Sequence, residues 1–191
     1  IFSNAVDEYN AGHGSQIDVT IDKDIVTVRD YGQGFIPNSF REDGKTILEA
    51  AFSVLNTSGK YREDGTYEGT SLGSFGIGSK ITTFLSHYLR VCTFRDKKFE
   101  EIKFNEGVFN SRNIGDINVP NGTEVEWQPS EEFFTSPKVN ESKLRKFCED
   151  ITCLCPGLTI VFNGDEIKHE NGIEDLLSSS LGKDIEVLKS H

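Results

Sequence analysis

The tightest constraint on this chain is a pair of alternating runs, "QIDVTI" and "IVTVRD", parted only by "DKD". Apolar residues at every second position lay one side of a strand on a core, and so short a link joins only antiparallel neighbours. A second pair stands in "LTIVFNGDEIKH", with Asn163, Gly164 and Asp165 as its turn. Frequent hairpins argue against a doubly wound parallel sheet, whose crossovers need a dozen or more residues. "RVCTFRD", "FEEIKFN" and "GTEVEWQP" read as further strands. Helical periods run over residues 1–11, stopped by Gly12 and Gly14, then over Lys45–Leu55, "SKITTFLSHYL", "ESKLRKFCEDITCL" and "IEDLLSSSL". The fold class expected from this order is α+β: a two-layer α/β sandwich, a mixed sheet with helices on one face.

At 191 residues the chain is long enough for one well-buried domain. Twenty Lys and Arg against 31 Asp and Glu leave a formal charge of −11. Such a surface repels a DNA backbone, so no direct grip on nucleic acid is expected. A polyanionic ligand would have to be held by backbone N–H groups and a few lysines. No apolar run reaches membrane-span length and no secretion signal opens the chain, so the cytoplasm is the expected location. Cys153 and Cys155 flank one leucine, a spacing unlike zinc-ligand pairs; with Cys92 and Cys148 they read as buried, reduced thiols. The chain has no methionine and opens directly on the helix-like "IFSNAVDEYNAG", as a fragment would.

Five short segments bear on chemistry. In "NAVDEYNAG", Asn4 and Glu8 lie one helical turn apart, and an asparagine oxygen can ligate a hard cation such as Mg²⁺. In "RDYGQGFIP", Asp30 closes a strand beside apolar Ile36, where a carboxylate can accept from an exocyclic amine, and Gly32 and Gly34 let the chain turn. The long polar loop 56–72 carries "SGKY", whose Lys60 can close over a phosphate. "SLGSFGIGSK" brings Gly73, Gly76 and Gly78 before a helix, a setting that suits a phosphate. In "NGTEVEWQP", the Thr123 hydroxyl can share a water with Asp30 and a base nitrogen. Taken singly, each has a plain structural reading: a solvated helix stripe, a D-x-G turn, a solvated lysine, a flexible turn, a β-branched strand residue.

In this fixed order, however, the five segments resemble the ATPase (Bergerat) fold shared by DNA gyrase B, Hsp90, histidine kinases and MutL. The wording of "NAVDEYNAG", "VRDYGQGFIP", "NTSGKY", "SLGSFGIGSK" and "GTEVEWQPS" is similar to the ATPase domain of type IIA DNA topoisomerase B subunits, those of gyrase and topoisomerase IV. The resemblance covers residues 1–181 as an ATP-binding domain and leaves 182–191 as the start of a connection to a transducer domain. It implies that Asn4 holds a Mg²⁺ bridging the ATP phosphates and that Asp30 takes the adenine amine, with Thr123 in support through water. It implies that Glu8, Gly32, Gly34 and Ile36 line the base pocket, that Gly73, Ser74, Phe75, Gly76, Ile77, Gly78 and Ser79 wrap the triphosphate, and that Lys60 belongs to a lid. In the family, ATP binding dimerises two such domains and closes a gate on captured DNA. The A subunit and DNA are therefore expected partners of the parent protein, an ATP-hydrolysing topoisomerase.

Several departures accompany the resemblance. The family's general-base glutamate would fall just before Ile1, so this chain is expected to bind ATP but hydrolyse it poorly. The family's dimerising arm is likewise missing from the given chain, so a monomer is expected. Gln33 stands where the family has an arginine that pairs with the residue matching Glu8, and "FIP" carries one residue more than usual. Arg95 matches the family's other aminocoumarin-contacting arginine, so some binding of that inhibitor class is expected. The alternatives are another ATPase of the superfamily, MutL-like or Hsp90-like, or a non-catalytic nucleotide-sensing module.

Overall fold

The computed structural model describes residues 1–54, 77–175 and 177. The chain opens with helix α1 (Phe2–Asn10), which precedes the hairpin β1 (Gln16–Asp22) and β2 (Ile25–Asp30). Helices α2 (Ile47–Ser53) and α3 (Gly78–Phe84) follow, then the meander β3 (Ser86–Arg95), β4 (Lys98–Asn105) and β5 (Val108–Asp116), and strand β6 (Gly122–Pro129), which returns to pair with β3. Helix α4 (Glu141–Leu154) and the hairpin β7 (Thr159–Phe162), β8 (Asp165–Lys168) complete the described elements. Residues 173–175 and 177 are helical, and the rest of the expected last helix lies outside the described residues.

All eight strands form one sheet in the order β5-β4-β3-β6-β2-β1-β7-β8. Every neighbouring pair is antiparallel except β1 and β7, so the sheet is mixed, as expected. Register aligns one apolar row across it: Val19 lies opposite Val28, Val28 opposite Val125, Val125 opposite Val91, and Val91 opposite Ile102. Helices cover that row. Phe2, Ala5 and Val6 of α1 and Cys148 and Ile151 of α4 pack with Ile17, Val19, Val28, Ile160 and Phe162. Leu48 and Phe52 of α2 pack with Leu89, Val91, Ile102, Phe104 and Val125. Trp127 touches both clusters and joins them. Each fully buried large apolar side chain contributes roughly 1.5–3 kcal/mol. The other face is polar at its centre, where Arg90 pairs with Glu101, Glu124 and Glu126.

Two elements depart from the sequence reading. The helix expected over "SKITTFLSHYL" stops at Leu85, and Ser86–Leu89 start β3 instead, because Leu89 belongs to the sheet core opposite Trp127 and Phe104. Strand β5 has no counterpart in that reading. It is an edge strand whose residues are mostly exposed, so it lacks the alternation that betrays a half-buried strand. Helix ends follow their capping chemistry: Thr46 Oγ1 accepts from Glu49 N at 3.1 Å, and Asn140 Oδ1 accepts from Lys143 N at 3.0 Å. The four cysteines are buried and unpaired with one another, as their spacing suggested.

Candidate functional site

The candidate site lies where β2 ends against α1 and the start of β6. Asp30, the last residue of β2, is only 8% exposed. Its Oδ1 accepts two backbone bonds, from Gly32 N at 2.9 Å and Thr123 N at 3.0 Å. Oδ2 has no partner among the described residues, so the carboxylate keeps one acceptor for a ligand. Burial pushes its pKa up to about 6, against the two amides; nearby Glu8 adds to the rise and Arg29 opposes it. Thr123 meets Asp30 directly through its main-chain N–H.

The apolar side of α1 is spent on the core, which leaves Asn4 exposed and Glu8 half-buried on its outer side. Glu8 Oε2 accepts from Gln33 N at 3.1 Å and thereby ties α1 to the turn. Space explains the glycine between them: a Cβ on Gly32 would fall 2.5 Å from Glu8 Oε2. Gly34 has φ +68°, and a Cβ there would sit 2.7 Å from Gly122 O and from Phe94 O, so no larger residue fits this turn. Arg95 Nη1 donates to Gly34 O at 3.2 Å. Gln33 thus lies in the turn whose next residue Arg95 holds. Ile36 is 58% exposed, so the burial of Asp30 comes from the sheet and α1, and Ile36 remains open to a ligand.

Ile77 is the cap residue of α3, and Gly78 and Ser79 form its first turn. Ser79 Oγ donates to Ala51 O at 2.8 Å, so its side chain serves the α2–α3 contact and leaves the main chain for a ligand. Lys80 is 2% exposed, and burial lowers its pKa. Lys60, Gly73, Ser74, Phe75 and Gly76 lie outside the described residues.

The structure also brings in residues that sequence reasoning missed. His13 contacts the Gln33 amide and sits 3.6 Å from Glu8 Oε2. Fully buried Thr93 accepts from Phe35 N at 2.7 Å and donates to Phe35 O at 3.2 Å. Neither carries a local signal, since one is a lone loop histidine and the other a β-branched residue inside a strand.

A mixed sheet under a helical layer, with a buried, doubly held carboxylate at the end of a central strand, defines the class: a gyrase-type ATPase fold. No family model matches the chain. It is 36% identical over 166 residues to the DNA topoisomerase 4 B subunit of Mycoplasma capricolum, covering 85% of this chain and 25% of that protein. It is 33% identical over 166 residues to the DNA gyrase B subunit of Thermus thermophilus, covering 85% of this chain and 26% of that protein. The solved 43K ATPase domain of T. thermophilus gyrase B, in complex with an aminocoumarin, superposes with a TM-score of 0.78 at 25% identity. That match covers 99% of this chain and 49% of the solved one. The chain belongs to the family of ATPase domains found in type IIA topoisomerase B subunits, and it spans about a quarter of the length of the two relatives. MutL-like, Hsp90-like and purely sensory alternatives find no support here.

Proposed function

We propose that this chain binds ATP as the ATPase domain of a type IIA DNA topoisomerase B subunit, in which ATP drives dimerisation and gate closure for DNA strand passage. Asp30 carries the reading. A buried carboxylate whose Oδ1 is saturated by two amides and whose Oδ2 is left to accept is suited to an exocyclic amine such as that of adenine. Glu8, Gly32, Gly34 and Ile36 surround the base, and Thr123 holds Asp30 in place.

Residues 73–79 and Lys60 are assigned to the triphosphate, with Ile77, Gly78 and Ser79 contributing main chain at the start of α3. Asn4 is assigned to Mg²⁺. No group of three His, Cys, Asp or Glu that could hold a metal occurs among the described residues. Asn4 is exposed, and its side-chain oxygen would be the protein's ligand to a magnesium ion there. When bound, the ion neutralises phosphate charge. Glu8, engaged by the Gln33 amide, is not assigned as a base. Residues 1–181 make up the ATP-binding domain and 182–191 begin a connection onward. In the whole protein the A subunit and DNA act elsewhere, and the cytoplasm is its place of action; no helix among the described residues is long and apolar enough to cross a membrane. Aminocoumarins occupy the same pocket, where Gln33 lies in the turn that Arg95 holds.

Calorimetric titration with a non-hydrolysable ATP analogue and Mg²⁺ tests the assignment. Saturable heat that Asp30→Asn removes is expected; no heat with the natural chain refutes it.

A further inference from the structure

The strap that follows the glycine turn is stapled at successive points from one side. Arg95 holds Gly34 O, Thr93 holds Phe35 N and O, and Glu100 Oε2 accepts from Asn38 N at 2.6 Å. Thr93 and Glu100 are register partners on β3 and β4, so the staples form a row across the sheet. Glu100 is fully buried, and its other oxygen accepts from Arg112 Nε of edge strand β5 at 3.0 Å. Arg112 Nη2 returns to Asn38 Oδ1 at 2.7 Å, and its guanidinium lies 5.2 Å over the Phe40 ring. Asn38 has φ +59°, a conformation held in place by these contacts.

We propose that Glu100 and Arg112 are positioning residues of the nucleotide site, setting the strap that carries Ile36 so that the base is held against Asp30. This rests on the ATP reading above. A buried carboxylate is retained only where its partners satisfy it, and here both partners act on the strap or support it. The strap and Asp30 share one floor: Gly34 packs on Gly122 O, and the next residue, Thr123, donates to Asp30. A displacement of Asn38 therefore moves the wall facing the base while leaving Asp30 bonded. Edge strand β5 thus reaches the pocket across two neighbouring strands, through side chains alone.

Two variants test this, each leaving the pocket residues intact. Glu100→Gln keeps shape but removes one acceptor and the charge that pairs with half-buried Arg112. Arg112→Lys keeps charge but loses the fork that spans Glu100 and Asn38. Affinities for AMP-PNP and GMP-PNP are measured alongside amide exchange by mass spectrometry. Both variants are expected to weaken AMP-PNP about tenfold, the scale of one misplaced polar contact, and to lower the adenine-over-guanine ratio. Exchange should quicken over residues 34–40 and stay as in the natural chain over β1, β2 and α4. Unchanged AMP-PNP affinity with quickened strap exchange overturns the proposal. So does an equal loss of both nucleotides with exchange quickened throughout the sheet, which marks a merely structural role. A natural chain that fails to bind AMP-PNP refutes the ATP reading itself, and this is seen without either variant.

Discussion

Replacing Asp30 by asparagine separates stability from binding. The folded carboxyl titrates at about 6 instead of 3.8, chiefly because it is buried. A raised acid pKa means that this group's contribution to stability is fully present below pH 3.8 and is lost as pH rises through about 6. Above that window the ionised carboxylate costs the fold about 3 kcal/mol, at 1.36 kcal/mol for each pH unit between the two values. Asparagine does not titrate, and its amide oxygen still accepts from Gly32 and Thr123. Asp30→Asn should therefore be more stable than the natural chain at pH 8, by up to about 3 kcal/mol, and equal to it near pH 4. Binding moves the other way. The side-chain NH₂ replaces Oδ2 and meets the adenine amine donor to donor, losing a charged hydrogen bond of about 2–3 kcal/mol, roughly 30- to 150-fold in affinity. Urea melts at pH 4 and 8, with titration of an ATP analogue at pH 8, read both effects. A variant that is less stable at pH 8, or that binds as tightly as the natural chain, refutes the reasoning.

Other outcomes follow from the same geometry. Affinity of the natural chain for ATP analogues should fall as pH drops through about 6, where Asp30 takes up a proton; a flat profile from pH 8 to 5 would contradict this. Gln33→Arg places a guanidinium beside Glu8, an exposed pairing of about 0–1 kcal/mol, so the fold should hold while aminocoumarin affinity rises. Equal affinities in parallel titrations count against it. Thr93→Val keeps volume but strips Phe35 of its buried partner, for an expected loss of about 1–3 kcal/mol by chemical melt; no loss would show that the Phe35 staple is idle. Burial pushes the Cys92 and Cys148 thiols up to about 12, so maleimide should label them slowly in the native state at pH 8 and fast in denaturant.

Much of the architecture is legible in the sequence because it is locally encoded. Hairpin β1–β2 is written as two alternating runs around Lys23, which takes φ +57° at the turn, and β6 begins at Gly122 where "NG" breaks the chain. Helix α4 spans the expected "ESKLRKFCEDITCL" because its cap, period and end all lie within its own residues. Strand β5 is hidden for the converse reason: at the sheet edge its side chains meet no core on either face over most of its length. The boundary between α3 and β3 is misread because "SHYL" satisfies both periods, and only the sheet core distinguishes them.

The residues of the site show the same division. Asp30, the glycines after it and Thr123 are recognisable as letters in order along the chain. Their meaning is not, since the pKa of Asp30 arises from burial between β2, β6 and α1, and its two amide partners stand 2 and 93 positions away. Short-range chemistry, in turns, caps and periods, acts between near neighbours and can be read along the chain. Desolvation, strand order and the Glu100–Arg112 brace act between residues far apart in sequence, and exist only once the sheet has closed around them.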